Sequence, residues 1–192
     1  MKSRVLVLAA LAASLGLSLP SKAARLQSHE GTAIQTQLLA QLNWISLVRQ
    51  DEEFKAEMPH PITPEEGPRL RMGSITRSLF TSEPDDTSTF SIDYRLLNGR
   101  SDEAILARAA DEALKLALQK RRKTHLLDKV KKISHPGTLF PIPGREVREE
   151  GLEGVWVLRV YADIGIQIYT IEARSSQENV DKFLNSFTLN PR

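Results

Sequence analysis

The side chains best equipped for chemistry in this 192-residue chain are four histidines, several pairs of adjacent acids and one dense run of cations. His29, His60, His125 and His135 lie far apart, and none stands three or four residues from a second histidine, so no zinc-binding spacing forms. In the pairs Glu65 with Glu66, Asp85 with Asp86 and Glu149 with Glu150, neighbours on a strand would point to opposite faces. Such carboxylates do not converge on one substrate, and they read as solvated turn acids. The phosphate-binding glycine loop, the dinucleotide fingerprint and the serine elbow of the hydrolases are absent from the sequence. There is no cysteine, which removes thiol catalysis, thiolate metal sites and disulfides. No catalytic residue, metal ligand or cofactor is assigned from these residues.

The cations say more. In KRRKTHLLDKVKK, Lys120 to Lys132, seven cations stand against one acid in thirteen residues. Part of this charge is what a helix C-terminus favours. The functional reading is a docking patch of Lys120, Arg121, Arg122, Lys123, Lys129, Lys131 and Lys132 for an acidic protein surface or another anionic component of the cell envelope. Nucleic acid is disfavoured, because few aromatics interleave with the cations. IPGREVREEG, Ile142 to Gly151, is the second charged stretch. Pro143 and Gly144 read as a turn, after which Arg145, Val147 and Glu149 share one face of a strand and Glu146, Arg148 and Glu150 the other. The charges divide between two faces and form no single cradle, leaving Arg145 as the residue to test for a buried ion pair.

The N-terminus carries an address. Lys2 and Arg4, the apolar run Val5 to Leu19, Pro20 and the small residues Ser21 and Ala23 follow the order of a secretory signal peptide. The expected cut follows Ala23, with Ala24 the next choice, and the run falls short of the about 20 apolar residues a spanning helix needs. Cutting there leaves 169 of the 192 residues and removes Lys2, Arg4 and Lys22 but no acid, so the formal charge falls from +2 to −1. A periplasmic or extracellular protein of one domain, without a transmembrane helix, is expected.

The elements that hold the charged stretches follow from hydrophobic period. The polar segment 24–42 ends in TAIQTQLLAQL, a short amphipathic helix by the spacing of Ile34, Leu38, Leu39 and Leu42. NWISLVRQDEEFKAEMP reads as two strands around a polar turn, and the proline-rich HPITPEEGP, His60 to Pro68, as a loop. RLRMGSITRSLF and TFSIDYRLL alternate on either side of the turn SEPDDTS, with Phe90, Ile92 and Tyr94 opposed to Ser91, Asp93 and Arg95. A long helix is expected over 101–122, capped by Ser101, with Ile105, Ala109, Ala113, Leu116 and Ala117 as its apolar face and Leu106, Leu114 and Leu118 widening it. HLLDKVKKIS either prolongs that helix or begins a strand. GVWVLRVYA is apolar on both faces, as a central strand is, and turns through DIG into IGIQIYTIEA, where Ile164, Ile166 and Ile168 share a face. A last helix over 176–187 opens on the capping-box spacing of Ser175 and Glu178 and carries the stripe Val180, Phe183, Leu184 and Phe187. Short-linked strands in two groups, with helices for both faces, give an α+β protein: an α/β/α sandwich around a central antiparallel sheet.

Four local patterns together resemble the small exported bacterial proteins with the PsbP-like fold, a family whose function is largely unassigned and whose fold is shared in outline with the extrinsic photosystem II protein PsbP and a Ran-binding nuclear import factor. They are FKAEMP (Phe54 to Pro59), PIPGRE (through Pro143, Gly144, Arg145 and Glu146), Arg159 and Tyr161 followed by Tyr169, and the ending Phe183, Leu184, Ser186 and Phe187. Where members often carry an arginine two residues before the second tyrosine, this chain has Gln167. The resemblance implies one PsbP-like domain over 43–192, a strand in HLLDKVKKIS and a non-enzymatic accessory or binding role. The alternative is a small-ligand-binding protein or enzyme with a pocket between sheet and helix, near Arg145, Tyr161 and Tyr169.

Overall fold

The computed structural model describes residues 42–49, 53–67, 76–97, 99, 102–137 and 140–189, which belong to one compact unit beginning at Leu42. The expected signal segment, the helix expected before Leu42 and residues 69–75 lie outside the described residues.

Alternation sets the strands. β1 (Trp44–Arg49) pairs antiparallel with β2 (Phe54–Pro59), whose Phe54, Ala56 and Met58 are all buried while Lys55 is exposed. β3 (Ile62–Glu66), β4 (Thr76–Asp85), β5 (Ser88–Leu96), β6 (Lys131–His135), β7 (Ile142–Gly151), β8 (Gly154–Asp163) and β9 (Gln167–Ser175) form a seven-stranded sheet in the order β3-β4-β5-β9-β8-β7-β6. Every pair in it is antiparallel. With α1 (Glu103–Lys120) and α2 (Gln177–Ser186) packed on these strands, the class is α+β. β10 (Thr188–Leu189) follows α2 and completes a three-stranded sheet β1-β2-β10.

β8 is apolar on both faces because it feeds two cores. Val157 and Tyr161 join Phe54, Phe90 and Phe183 in the core that α2 helps to build. Trp156, Leu158 and Val160 join Leu106, Leu114 and Leu118 of α1 in the other. Each such side chain, fully buried, stabilises the fold by roughly 1.5–3 kcal/mol. β7 divides its charges between the two faces as expected: Arg145 bonds to Asp111 of α1 and Glu149 to Lys123, whereas Glu146 bonds to Arg159 and Arg148 to Asp181 of α2. β5 buries Phe90, Ile92 and Tyr94 in the first core and turns Ser91, Asp93 and Arg95 the other way, beside the flank of α1.

Several expectations need correction. The proline-rich stretch after His60 contains a strand, β3, paired with β4 with Pro64 opposite Phe80. β3 is an edge strand, where a residue without an N–H is tolerated. Pro143 and Gly144 do not turn the chain but lie inside β7, paired with Ser134 and Ile133 of β6. Glycine is required there for room: a Cβ on Gly144 would sit 2.6 Å from Cδ1 of Tyr161. Asp102 caps α1, its carboxylate accepting from the Ile105 N–H at 2.8 Å, so the helix is Glu103–Lys120 and not 101–122. Ser176 caps α2 in place of Ser175, whose hydroxyl is instead shared with Ser88 at the end of β9. HLLDKVKKIS does hold the expected strand, β6, from Lys131 onward, but its first half is a 3-10 helix, Thr124–Lys129. Ile164 and Ile166 belong to the β8–β9 turn, since β9 begins only at Gln167.

Candidate functional site

α1 packs on β7, β8 and β9, and its free flank faces the polar side of β4 and β5 across a groove of about 960 Å³. That size is at the upper end of the roughly 300–1,000 Å³ typical of small-molecule sites. The helix wall carries an apolar stripe, Ile105, Ala109, Ala113 and Leu116, spaced to share one helix face, beside the charged Arg108, Glu112 and Lys120. These residues were expected to be the core face of the helix. The core takes Ala117, Leu106, Leu114 and Leu118, expected on the same apolar face, together with Ala110; Ala109 and Ala113 pack on it only in part, and Leu116 is left 58% exposed. α1 carries apolar residues around much of its circumference, and the sheet claims the stripe with the three leucines that fill the space over β8.

The floor is built by strand register. Arg77 stands opposite Arg95, which stands opposite Ile168; the next inward-facing row is Leu79, Asp93 and Thr170, and the next Thr81, Ser91 and Glu172. All nine line the groove. Asp93 accepts two guanidinium forks: Arg77 donates through Nε and Nη2 at 3.1 and 3.2 Å, and Arg95 through the same pair at 3.3 and 2.6 Å. Burial by itself would raise the pKa of Asp93, but the hydrogen bonds and charges of Arg95 and Arg77 outweigh it and hold the carboxyl below its ordinary value. A carboxylate pinned in this way is a poor general base. Its depressed pKa makes its contribution to stability complete above the unfolded value of about 3.9 and lost as pH falls through the folded one. Asp93→Asn is therefore expected to cost about 1–2 kcal/mol at pH 7. Urea unfolding at pH 7 and pH 3 checks this: the deficit against wild type shrinks at pH 3, and a deficit independent of pH contradicts it.

The far end of the groove is closed by internal pairs. Arg121 donates to Glu172, which also accepts from Trp156 Nε1 at 2.8 Å. Lys123 pairs with Glu149 and lies over the Trp156 ring, 4.7 Å from its centroid. Its hydrogen bond holds the Glu149 carboxyl below the usual range. Two of the seven cations of the expected patch are thus engaged within the domain. Lys131 stands opposite Glu146 and Lys132 opposite Arg145 on alternating sides of β6, and Arg122 and Lys129 are exposed. Lys120 lines the groove itself.

Arg145, Tyr161 and Tyr169, expected near one pocket, are not brought together. Arg145 faces α1, 6% exposed, and its Nε and Nη2 donate to Asp111 at 2.5 and 2.8 Å. This is the ion pair for which Arg145 was singled out, buried on the arginine side and open to solvent on the aspartate side. Tyr161 and Tyr169 lie in the opposite core, both in contact with Phe187. Burial raises the pKa of the Tyr161 phenol, and the Tyr169 hydroxyl donates to Gln167 at 2.7 Å, at the position where an arginine is often seen in the family it resembles.

No family model matches the chain, and no curated protein matches its sequence. Among solved structures it is similar to the cyanobacterial PsbP (CyanoP) of Synechocystis sp. PCC 6803, determined in solution, with 8% identity and a TM-score of 0.46 over 79% of this chain and 95% of that one.

Sequence reasoning did not single out Arg77, Asp93, Arg95 and Arg108, which line the groove. The signal for them was present in part: the polar side of β5 and the surplus apolar stripe of α1 are both periodic in the sequence. Among the described residues, no three histidines or acids gather as metal ligands, and no helix is long and apolar enough to cross a membrane.

Proposed function

We propose that this chain is an exported, non-enzymatic binding protein of the cell envelope, periplasmic or extracellular, with a PsbP-like α/β/α sandwich whose ligand lies in the groove between α1 and the β4–β5–β9 face. The observation that carries this reading is the second apolar stripe of α1, Ile105, Ala109, Ala113 and Leu116, which lines the groove, its two alanines also touching the core and Leu116 exposed. Apolar surface kept beside a few convergent polar groups is the usual make-up of a ligand site. The chemistry of the groove supports binding over catalysis. Its hydroxyls, from Thr81, Thr89, Ser91 and Thr170, stand beside no histidine, and its most buried acid is held ionised by two arginines. The order of residues 1–23 supports export.

A second reading keeps an anionic partner, docked on the exposed Arg122, Lys129, Lys131 and Lys132 around the 3-10 helix and edge strand β6. It draws support from their exposure and from the absence of ion pairs to them among the described residues.

Native mass spectrometry of the protein purified from its own envelope tests the first reading. Wild type is expected to carry a bound mass that Ala113→Trp, which fills the wall, and Leu116→Glu, on an exposed position, both lose. Identical spectra for the three proteins would remove the groove from consideration.

A further inference from the structure

We infer that the ligand is a long-chain carboxylate, with its head at the Arg77–Arg95–Arg108 end of the groove and its alkyl chain along α1; this rests on reading the groove as a ligand site. The head end is fixed by the direction of the helix. Arg145, in the same sheet row as Asp93, bonds to Ala107 and Asp111, while Arg121 reaches Glu172 further along. The first turns of α1 therefore lie toward the Arg95 end, and there Ile105 and Arg108 line the groove.

Cations outnumber acids along the groove, five against Asp93, Glu112 and Glu172. Arg77 and Arg95 share the carboxylate of Asp93, with the charge of Glu65 also acting on Arg77, and their side chains are 47% and 34% exposed. Each guanidinium has spent two of about five N–H donors on Asp93 and keeps the others. Arg108 is exposed and makes no ion pair among the described residues, so it brings a third guanidinium to that end, with Glu112 one turn further along the same wall. Guanidinium forks match a planar carboxylate in two parallel hydrogen bonds, which a choline or sugar head does not offer.

The body of the ligand is set by the wall. Ile105 to Leu116 spans about 16 Å at 1.5 Å per residue. That length suits an extended alkyl chain, and the small side chains of Ala109 and Ala113 let it approach the helix backbone closely. A free short-chain anion would leave this stripe wet, and a neutral amphiphile would cover the guanidiniums without pairing them.

Isothermal titration calorimetry with sodium dodecanoate, dodecyltrimethylammonium and dodecyl maltoside, all below their micelle concentrations, and with sodium butyrate, tests the inference. Dodecanoate is expected to bind one per chain, the trimethylammonium and butyrate not to bind, and the maltoside to bind more weakly. Arg108→Gln is expected to weaken dodecanoate about tenfold and to leave the maltoside unchanged. Equal affinity for the three dodecyl heads, or a dodecanoate affinity untouched by Arg108→Gln, overturns the carboxylate head and leaves the groove reading standing. The same holds if no amphiphile binds while native mass spectrometry finds a groove-dependent mass. Dodecanoate binding that survives both Ala113→Trp and Leu116→Glu overturns the inference and the groove reading together. Leu116→Glu keeps the test valid if Ala113→Trp fails to fold.

Discussion

Phe54→Ala is expected to lower folding stability by about 3–5 kcal/mol. Phe54 is fully buried on β2, at the seam where the three-stranded sheet packs over the larger one. Its ring meets Phe80 and Phe187 at 5.8 Å and Tyr169 at 6.2 Å, so truncation opens a void lined by three aromatics held in place by other contacts. Those rings belong to β4, β9 and the residue after α2, and they do not collapse together without moving the sheet. Phe54→Leu keeps most of the volume and is expected to cost clearly less, about 1–1.5 kcal/mol. Urea midpoints at constant m decide the matter, and a loss below 1 kcal/mol for the alanine variant contradicts this account of the seam.

Gly154→Ala is expected to cost about 3 kcal/mol or more, from strain and overpacking acting together. Gly154 has φ of 125°, where L side chains are rarely found, and a Cβ would come within 2.3 Å of the Ser175 carbonyl oxygen. That oxygen belongs to the backbone of β9, in register with β8 through the adjacent Val155, and cannot rotate away as a side chain would. Gly165 supplies the control. Its φ is 79° but a Cβ there meets nothing within 4 Å, so Gly165→Ala carries only the left-handed strain of about 1–2 kcal/mol. Thermal midpoints of the two variants should separate clearly. Equal losses would mean that the close approach of β8 to β9 is not what demands glycine at 154.

Period-two patterning was enough to place β2, β5, β8 and β9, because each has at least one face that only a core can satisfy. It was also enough to divide the charges of β7 between two faces. It failed at Pro143 and Gly144, where a dipeptide that usually turns the chain is overridden by the ring of Tyr161 lying against the strand. It failed on the helix for a different reason. α1 has two apolar stripes, and nothing in its own sequence says which one the sheet will take; the leucines of one, fitted over β8, decide it. The candidate site was least legible, since its arginine cluster depends on register between strands. Arg77 and Asp93 are 16 positions apart and Arg145 and Asp111 are 34 apart, distances over which periodicity carries no information. The run Lys120 to Lys132 was the reverse case: conspicuous in sequence, yet partly consumed by Glu172, Glu149 and the Trp156 ring once folded.

The central claim is that the groove, and not the basic segment, meets the ligand. Amide chemical-shift mapping of the protein on addition of an organic extract of the cells that make it tests it most directly. Shifts are expected to concentrate on Ile105, Ala109, Ala113 and Leu116 of α1 and on Arg77 to Thr81 and Ser91 to Arg95 of the facing strands. Shifts confined to Lys129 through His135, with the groove silent, would contradict the claim.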